Sequence, residues 1–264
     1  MQNLRFFIAE KVFRWRRFFY WFKKRNTFAK EIKKEKLEYI IFRHRTPMLR
    51  KLKDVDMQWQ YNKAENLKIA TGRLNGIVIK PGEVFSYWKM LGEPKEKEGY
   101  KEGMVLKRDG TFEGGIGGGL CQLSNLIYWM TINSPLTITE RWRHMWDVFP
   151  DAGRTQPFGS GATCFYNYMD LQIRNDMEQE FQFIFNIDEE FLNGEIRSEK
   201  PWDVSYEVIE EDHEMCQELN GRYSRHNKIF RNVIDKKTGE TIRKEFITEN
   251  HVLMMYSPMI SSKK

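Results

Sequence analysis

The stretch from Gly114 to Asn125, GGIGGGLCQLSN, constrains the fold of this 264-residue chain more than any other segment. Glycine adopts backbone conformations that other residues avoid, and without a Cβ atom it allows a second group to approach closely. The apolar residues that follow have the length of a helix, and we predict one from Gln122 to Ile132 with Cys121 at its N-terminus. Unpaired N–H groups and the helix dipole favour a thiolate there. The segment therefore predicts either a cysteine nucleophile or a buried cysteine beside a tight turn.

A cysteine nucleophile needs a base and a group that orients the base. His144, in RWRHMWD, follows the predicted helix and is the candidate base. The candidate orienting groups are Asp151 in FPDAGR and Asp147 in MWDVF, and we favour Asp151 because a PDAG turn can project its side chain independently of strand alternation. The alternative for His144 is a structural histidine packed between Trp142 and Trp146. A Cys-His-Asp triad is thus one hypothesis for this chain.

A binding module without catalysis is a second hypothesis, and an assembly protein whose basic helix recruits partners is a third. In a catalytic site the N–H groups of the glycine run would stabilise an oxyanion. In a binding module the same run is a loop that a ligand approaches closely, and aromatic side chains form the wall of the site. The alternative for these aromatic residues is core packing. The candidate binding residues are Gly117, Gly118, Gly119, Gln122, Tyr87, Trp88, Trp142 and Arg141.

Positive charge is concentrated at the N-terminus. Residues 1–53 carry 17 lysines and arginines against 4 glutamates, a net charge of +13, whereas the whole chain carries +6. An interfacial helix on an anionic membrane surface explains this composition, and so does a terminal helix packed on the core with its basic face in solvent. No nucleic-acid motif accompanies the charge, so we predict no nucleic-acid partner. The apolar residues near helical spacing are Phe6, Phe7, Val12, Phe13, Phe18, Trp21 and Phe22.

Several classes of protein are disfavoured by composition. Three cysteines cannot all pair, charges interrupt the apolar residues of the N-terminus, and no apolar run has the length of a membrane span. We therefore predict a cytoplasmic protein, with peripheral attachment at the inner membrane face as an extension. The cysteines and histidines show no paired metal-ligand spacing, and GGIGGG lacks the lysine and hydroxyl of a phosphate-binding loop. We predict no metal and no cofactor.

Hydrophobic periodicity beyond Asn62 alternates between helix and strand. We predict a helix from Lys63 to Leu74, a strand from Ile77 to Ile79 and a hairpin within residues 101–112 that turns at Asp109-Gly110. LTITERW and the segments beyond residue 170 alternate as strands do, with a hairpin turn at Lys237-Thr238-Gly239.

These patterns predict an α+β fold with two parts. Residues 1–55 form a basic amphipathic helical segment with a break at Thr46-Pro47. Residues 56–264 form the α+β domain, in which a mixed core surrounds the cysteine-bearing helix and residues 176–264 are rich in β structure.

Four stretches together resemble the VanW-like family: NLKIATGRLNGIVIKPGEVFSYWKMLGEPKEKEGY, GGIGGGLCQLSNLIYW, ERWRH and PFGSGATCFYNYMDLQIRN, which cover about residues 62–175. The resemblance implies a bacterial cell-wall or glycopeptide (vancomycin) resistance context, without a mechanism. Many family members have an aspartate immediately before the Ala-Thr of the last stretch, where this chain has Gly161, so Asp151 would have to replace it. Many also carry a signal or membrane-spanning segment and wall-binding domains, whereas this chain has only the basic aromatic N-terminus.

The resemblance makes the two leading hypotheses more specific. The first is a cysteine-dependent acyl transferase or amidase that acts on a cell-wall precursor peptide. The alternative is a non-catalytic module that binds a peptidoglycan precursor, peptide or glycan, or a partner, at the membrane surface.

Overall fold

The computed structural model describes residues 2–50, 56–107, 110–144, 146–148 and 155–258, with side chains from residue 7 onward. The α+β class predicted from the sequence is confirmed, as is a helix at the basic N-terminus. The described helices are α1 (Gln2–Lys23), α2 (Met57–Leu74), α3 (Tyr87–Leu91) and α4 (Cys121–Ile132), with a short 3-10 helix at Glu96–Glu98.

Strands occupy most of the described chain beyond α4. The strands are β1 (Glu31–Ile32), β2 (Tyr39–Pro47), β3 (Ile77–Ile79), β4 (Val84–Ser86), β5 (Glu102–Leu106), β6 (Phe112–Ile116), β7 (Thr137–Glu140), β8 (Trp146–Asp147), β9 (Gln172–Arg174), β10 (Phe181–Ile187), β11 (Phe191–Ser198), β12 (Val204–Gln217), β13 (Tyr223–Asp235) and β14 (Thr241–Met254). The predicted β-rich C-terminal portion is confirmed.

The central sheet has the strand order β1-β3-β10-β11-β2, with antiparallel pairing throughout. Both of its edge strands come from the N-terminal segment. The expected helical segment through residue 55 is therefore wrong for residues 31–32 and 39–47. The run Tyr39–Phe42 favours β structure and pairs with β11. This pairing determines the conformation of the segment, although its many lysines and arginines led us to predict a helix.

Helices α2 and α4 pack on the central sheet and form the core with it. Gly194 of β11 lies where a side chain would press on Met130 and Leu126 of α4, so the glycine allows close contact between helix and sheet. The predicted helix that begins at the glycine run is confirmed as α4. The main core side chains of these elements, all fully buried, are Leu67, Ala70, Leu74, Leu123, Leu126, Ile127, Met130, Phe181, Phe183, Leu192 and Ile196.

Three smaller sheets complete the described fold. The long strands β12, β13 and β14 form an antiparallel meander, and β8 joins β14 in parallel. Strand β9 lies between β4 and β7. Strands β5 and β6 form a hairpin around the predicted turn, but β6 runs from Phe112 to Ile116, beyond the predicted end of the hairpin at residue 112. Residues 108–109 of the turn lie outside the described residues.

Helix α1 packs on the domain through a face that carries two arginines. Arg14 pairs with Glu93, Arg17 pairs with Glu140, and the indole of Trp21 is buried. The sequence left two alternatives for this helix, and neither placed arginines on the packed face. Acidic partners on the domain explain the difference, because a paired guanidinium tolerates partial burial. No helix in the described residues is long and apolar enough to span a bilayer.

Candidate functional site

A tight glycine turn leads from β6 into α4. Gly117 and Gly119 have φ angles of 76° and 89°, in the left-handed region that favours glycine. A Cβ atom on Gly118 would overlap the backbone of Gly103 in β5. These glycines are therefore required by the local backbone path, which places Cys121 at the first position of α4.

The backbone N–H groups of this turn are not equivalent. Gly117 donates to the carbonyl of Lys101 at 3.0 Å and Gly118 donates to that of Gly115 at 2.9 Å. Within the described part of the chain, the N–H groups of Gly119 and Cys121 have no hydrogen-bond partner. These two groups are the donors that remain for a bound anion or carbonyl oxygen.

The sulfur of Cys121 is partly buried and lies among polar atoms. Its Sγ atom is 3.8 Å from the hydroxyl Oγ1 of Thr163 and 3.8 Å from the carbonyl oxygen of Cys164. The Cys121, Cys164 and Cys216 thiols are all free. Cys164 is buried and burial raises its pKa well above the usual range, whereas Cys216 is exposed. The three thiols thus occupy three different environments.

The loop that brings Thr163 to the sulfur is held by α4 itself. The hydroxyl of Ser124 donates to the carbonyl of Ala162 at 2.7 Å, and the N–H of Ala162 donates to Oδ1 of Asn125 at 2.7 Å. On the other side, the N–H of Thr163 donates to the carbonyl of Trp142 at 2.9 Å. The segment after β7 and the loop at residues 161–164 therefore meet at the start of α4.

His144 is partly buried near the end of the same segment. Burial lowers its pKa to about 4, so its imidazole is neutral at pH 7. No hydrogen bond joins its ring to Cys121 among the described residues, and Asp151 lies outside them. The alternative Asp147 is buried and accepts hydrogen bonds from Arg225 and Tyr256. The Cys-His-Asp triad therefore stays a prediction.

The predicted binding side chains divide into internal and exposed groups. Tyr87 and Trp88 are buried, and their polar atoms donate to the carbonyls of Leu120 and Met169. Both side chains therefore pack in the core, which was the alternative to a role in ligand binding. Trp142 is 45% exposed, and its indole N–H donates to Glu140 at 2.8 Å.

Arg141 and Gln122 form hydrogen bonds with segments that neighbour the site. The guanidinium of Arg141 donates to the carbonyls of Gly159 and Gly161 and lies 4.6 Å from the ring centroid of Tyr128. The amide of Gln122 donates to Thr46 Oγ1 and to the carbonyl of Pro47, both at 2.9 Å. Their predicted role in binding stays a prediction, and their described contacts are with the protein.

Two neighbouring acidic residues, Asp170 and Glu140, were not anticipated from the sequence. Asp170 is fully buried, and burial raises its pKa to about 6. Its carboxylate accepts hydrogen bonds from the Ser86 hydroxyl and the Trp88 backbone, and its own N–H donates to Glu140 at 3.2 Å. Their positions in the sequence could have indicated them, because Glu140 lies in ERWRH and Asp170 lies in MDLQIRN. Both stretches carry the family resemblance.

Lys63 is a second residue that the sequence analysis missed. Its stem packs where a side chain on Gly119 would lie, and its ammonium donates to Oε1 of Gln60 at 2.8 Å. Burial, aided by the positive charge of Arg50, lowers the pKa of Lys63 to about 8. A buried amine therefore supports the glycine turn from α2. Among the residues the structure describes, no cluster of three or more His, Cys, Asp or Glu side chains could hold a metal ion.

A family model and one relative point to the same family. Residues 62–197 match the family model described as VanW like protein. The chain is 31% identical over 229 residues to the vancomycin B-type resistance protein VanW of Enterococcus faecalis, an alignment that spans 87% of this chain and 82% of that protein. It is 25% identical over 118 residues to the uncharacterized protein YoaR of Bacillus subtilis, spanning 45% of this chain and 37% of that protein. No solved structure matches the chain.

Proposed function

The chain belongs to the VanW-like protein family, and we propose that it acts in glycopeptide resistance or cell-wall metabolism as a cysteine-dependent acyl transferase or amidase. Its substrate is a cell-wall precursor peptide, and Cys121 is the nucleophile. The context is supported by the name of the Enterococcus faecalis relative, a vancomycin B-type resistance protein. The chemistry is supported by the site.

The observation that carries the proposal is the position of the Cys121 sulfur. It is partly exposed at the first residue of α4 and lies beside a hydroxyl and a carbonyl rather than in an apolar interior. The dipole and free N–H groups of a helix start stabilise a thiolate. A substrate carbonyl that reaches this sulfur would also meet the unpaired N–H groups of Gly119 and Cys121.

The proposed reaction begins when the Cys121 thiolate attacks the carbonyl carbon of a substrate amide. The carbonyl oxygen becomes an oxyanion that the N–H groups of Gly119 and Cys121 stabilise. The C–N bond then breaks, the amine leaves with the proton that His144 took from the thiol, and the acyl group remains on sulfur as a thioester. Water or a second amine releases the acyl group, which corresponds to hydrolysis or transfer.

His144 is the proposed base in this scheme, and Asp151 is the proposed orienting residue. The imidazole of His144 is neutral at pH 7 and has a ring nitrogen that can accept a proton, but burial lowers its pKa to about 4 and makes it a weak base. The scheme therefore requires this pKa to rise as the thiolate and the imidazolium form a pair. Because the sulfur and the ring are not hydrogen-bonded in the free protein, the scheme requires them to come together when the substrate binds.

Thiol reactivity and adduct formation test the proposal. At a single pH near neutrality, iodoacetamide should alkylate Cys121 faster than the exposed Cys216, with Cys164 unreactive in the folded protein. Mass spectrometry of tryptic peptides follows all three thiols. A synthetic wall-precursor peptide should leave a mass adduct on Cys121 of the wild type and none on Cys121→Ala, whose thermal unfolding should match that of the wild type. A wild type that binds the peptide with an inert Cys121 would instead support the binding module.

A further inference from the structure

The outer face of α1 carries a continuous apolar stripe that the domain does not cover. Ile8, Val12, Trp15, Phe19 and Phe22 follow one another at spacings of four and three residues, which places them along one side of a helix. They are 53%, 49%, 69%, 57% and 66% exposed, respectively. Five large apolar side chains in one solvent-facing row are unusual, because scattered single exposures are the norm for a protein surface.

The stripe cannot turn inward, because the other side of α1 is fixed to the domain. Arg14 pairs with Glu93, Arg17 pairs with Glu140, and Trp21 is buried. Viewed down the helix axis, Trp21 projects in a direction between those of the two arginines. At 100° per residue these three positions lie nearly opposite the stripe. These contacts hold α1 along the surface of the domain with the apolar stripe facing solvent.

Cations flank the stripe on both sides. Lys11 lies along one border, Arg16 and Lys23 lie along the other, and all three are exposed. The single acidic residue of α1, Glu10, lies on the domain side and pairs with Arg14. The exposed side of α1 is therefore apolar along its middle and positive along its borders.

We propose that this face of α1 lies in the interface of a bilayer with anionic headgroups, with the stripe among the upper acyl chains and the three cations at the phosphates. A second copy of the chain fits less well, because pairing two stripes would bring the same cations together. The arrangement is that of a helix lying in the plane of the membrane, held by its own domain.

Vesicle flotation with the full chain tests the proposal. The wild type should float with vesicles of mixed phosphatidylglycerol and phosphatidylcholine and bind pure phosphatidylcholine more weakly. Replacing Trp15 and Phe19 together by Gln removes two buried aromatic groups and should weaken binding by about tenfold or more. Replacing Lys11, Arg16 and Lys23 together by Gln should weaken binding to the anionic vesicles on the order of 100-fold and leave binding to phosphatidylcholine little changed.

Phe246→Gln is the matched control, since Phe246 of β14 is 58% exposed and has one ring neighbour, as Phe19 has. This variant should bind vesicles as the wild type does. The proposal is overturned if the wild type does not float, if the Trp15 and Phe19 double variant floats unchanged, or if Phe246→Gln loses as much binding. It is also overturned if light scattering shows a wild-type dimer that the double variant converts to a monomer, because the stripe is then a protein interface.

Discussion

The guanidinium of Arg17 holds the carboxylate of Glu140 with two hydrogen bonds, at 2.7 and 2.5 Å, across 123 residues of sequence. Glu140 also accepts hydrogen bonds from the Trp142 indole and the Asp170 backbone. Since β7 ends at Glu140 and the candidate site follows directly, this pair ties the N-terminal helix to the strand that leads into the site.

Removing the cation from this pair should destabilise the fold. The side chains of Arg17 and Glu140 are only 11% and 21% exposed, so Arg17→Gln leaves a poorly solvated carboxylate. We expect a loss of about 2–3 kcal/mol in the free energy of unfolding, less than for a fully buried pair. The exposed neighbour is the control, and Arg16→Gln should change stability by less than about 0.5 kcal/mol. Urea titration measures both, and equal losses would contradict a specific role for the pair.

Asp170 should make part of the stability depend on pH. Its pKa is raised by burial from 3.8 to about 6, so the folded state binds the proton more tightly than the unfolded state. The resulting stabilisation is full below about pH 4 and is lost as the pH rises through about 6. Relative to Asp170→Asn, the wild type should lose up to about 3 kcal/mol between about pH 4 and pH 7. Urea titrations at stepped pH check the sign, and a relative gain by the wild type would refute it.

His144 should make the folding stability depend on pH in the opposite direction to Asp170, over nearly the same pH range. Burial lowers its pKa from 6.5 to about 4, so the unfolded state binds the proton more tightly. The stability is full above about pH 6.5 and is lost as the pH falls toward about 4. Relative to His144→Gln, the wild type should lose about 2–3 kcal/mol on acidification. NMR titration of the imidazole gives an independent measurement, and a midpoint near the ordinary histidine pKa would show that the ring is not desolvated.

The glycine turn should tolerate no side chain at Gly118. A Cβ atom there would overlap the Gly103 backbone, which cannot move without breaking the β5–β6 pairing. Gly118→Ala should cost at least about 3 kcal/mol or prevent folding. Gly72→Ala is the control, because Gly72 lies exposed within α2 with nothing near the added methyl group. That change should stabilise the protein by about 0.5–1 kcal/mol. Thermal unfolding of both variants is the measurement, and two similar midpoints would show that the predicted overlap is relieved cheaply.

Local patterns in the sequence were enough to locate much of the fold. The glycine run and the apolar segment after it predicted α4 and the position of Cys121 at its start, and alternation predicted β3 and the C-terminal strands. Each of these signals lies within a few residues of the element it predicts. Helix α2 begins at Met57, six residues before the predicted start at Lys63, because its N-cap Asp56 was not recognised.

Contacts between segments that are distant in the sequence could not be predicted from the sequence. Residues 39–47 become a strand only because β11 offers a partner, and their basic composition pointed elsewhere. Arg17 and Glu140 are two among many charged residues, and nothing local distinguishes them as partners. The same holds for the site, where the hydroxyl of Thr163 reaches Cys121 only through the loop that Ser124 and Asn125 hold.

The two edge strands of the central sheet determine how far this chain can be shortened. The matched family region begins at residue 62, yet β1 and β2 both precede it. A fragment trimmed to that region would leave β3 and β11 with rows of open N–H and C=O groups, which recruit strands from neighbouring molecules. Such a fragment should precipitate, whereas one that starts at Thr27, whose carbonyl accepts the N–H of Val84, would keep β3 and β11 paired with their native edge strands.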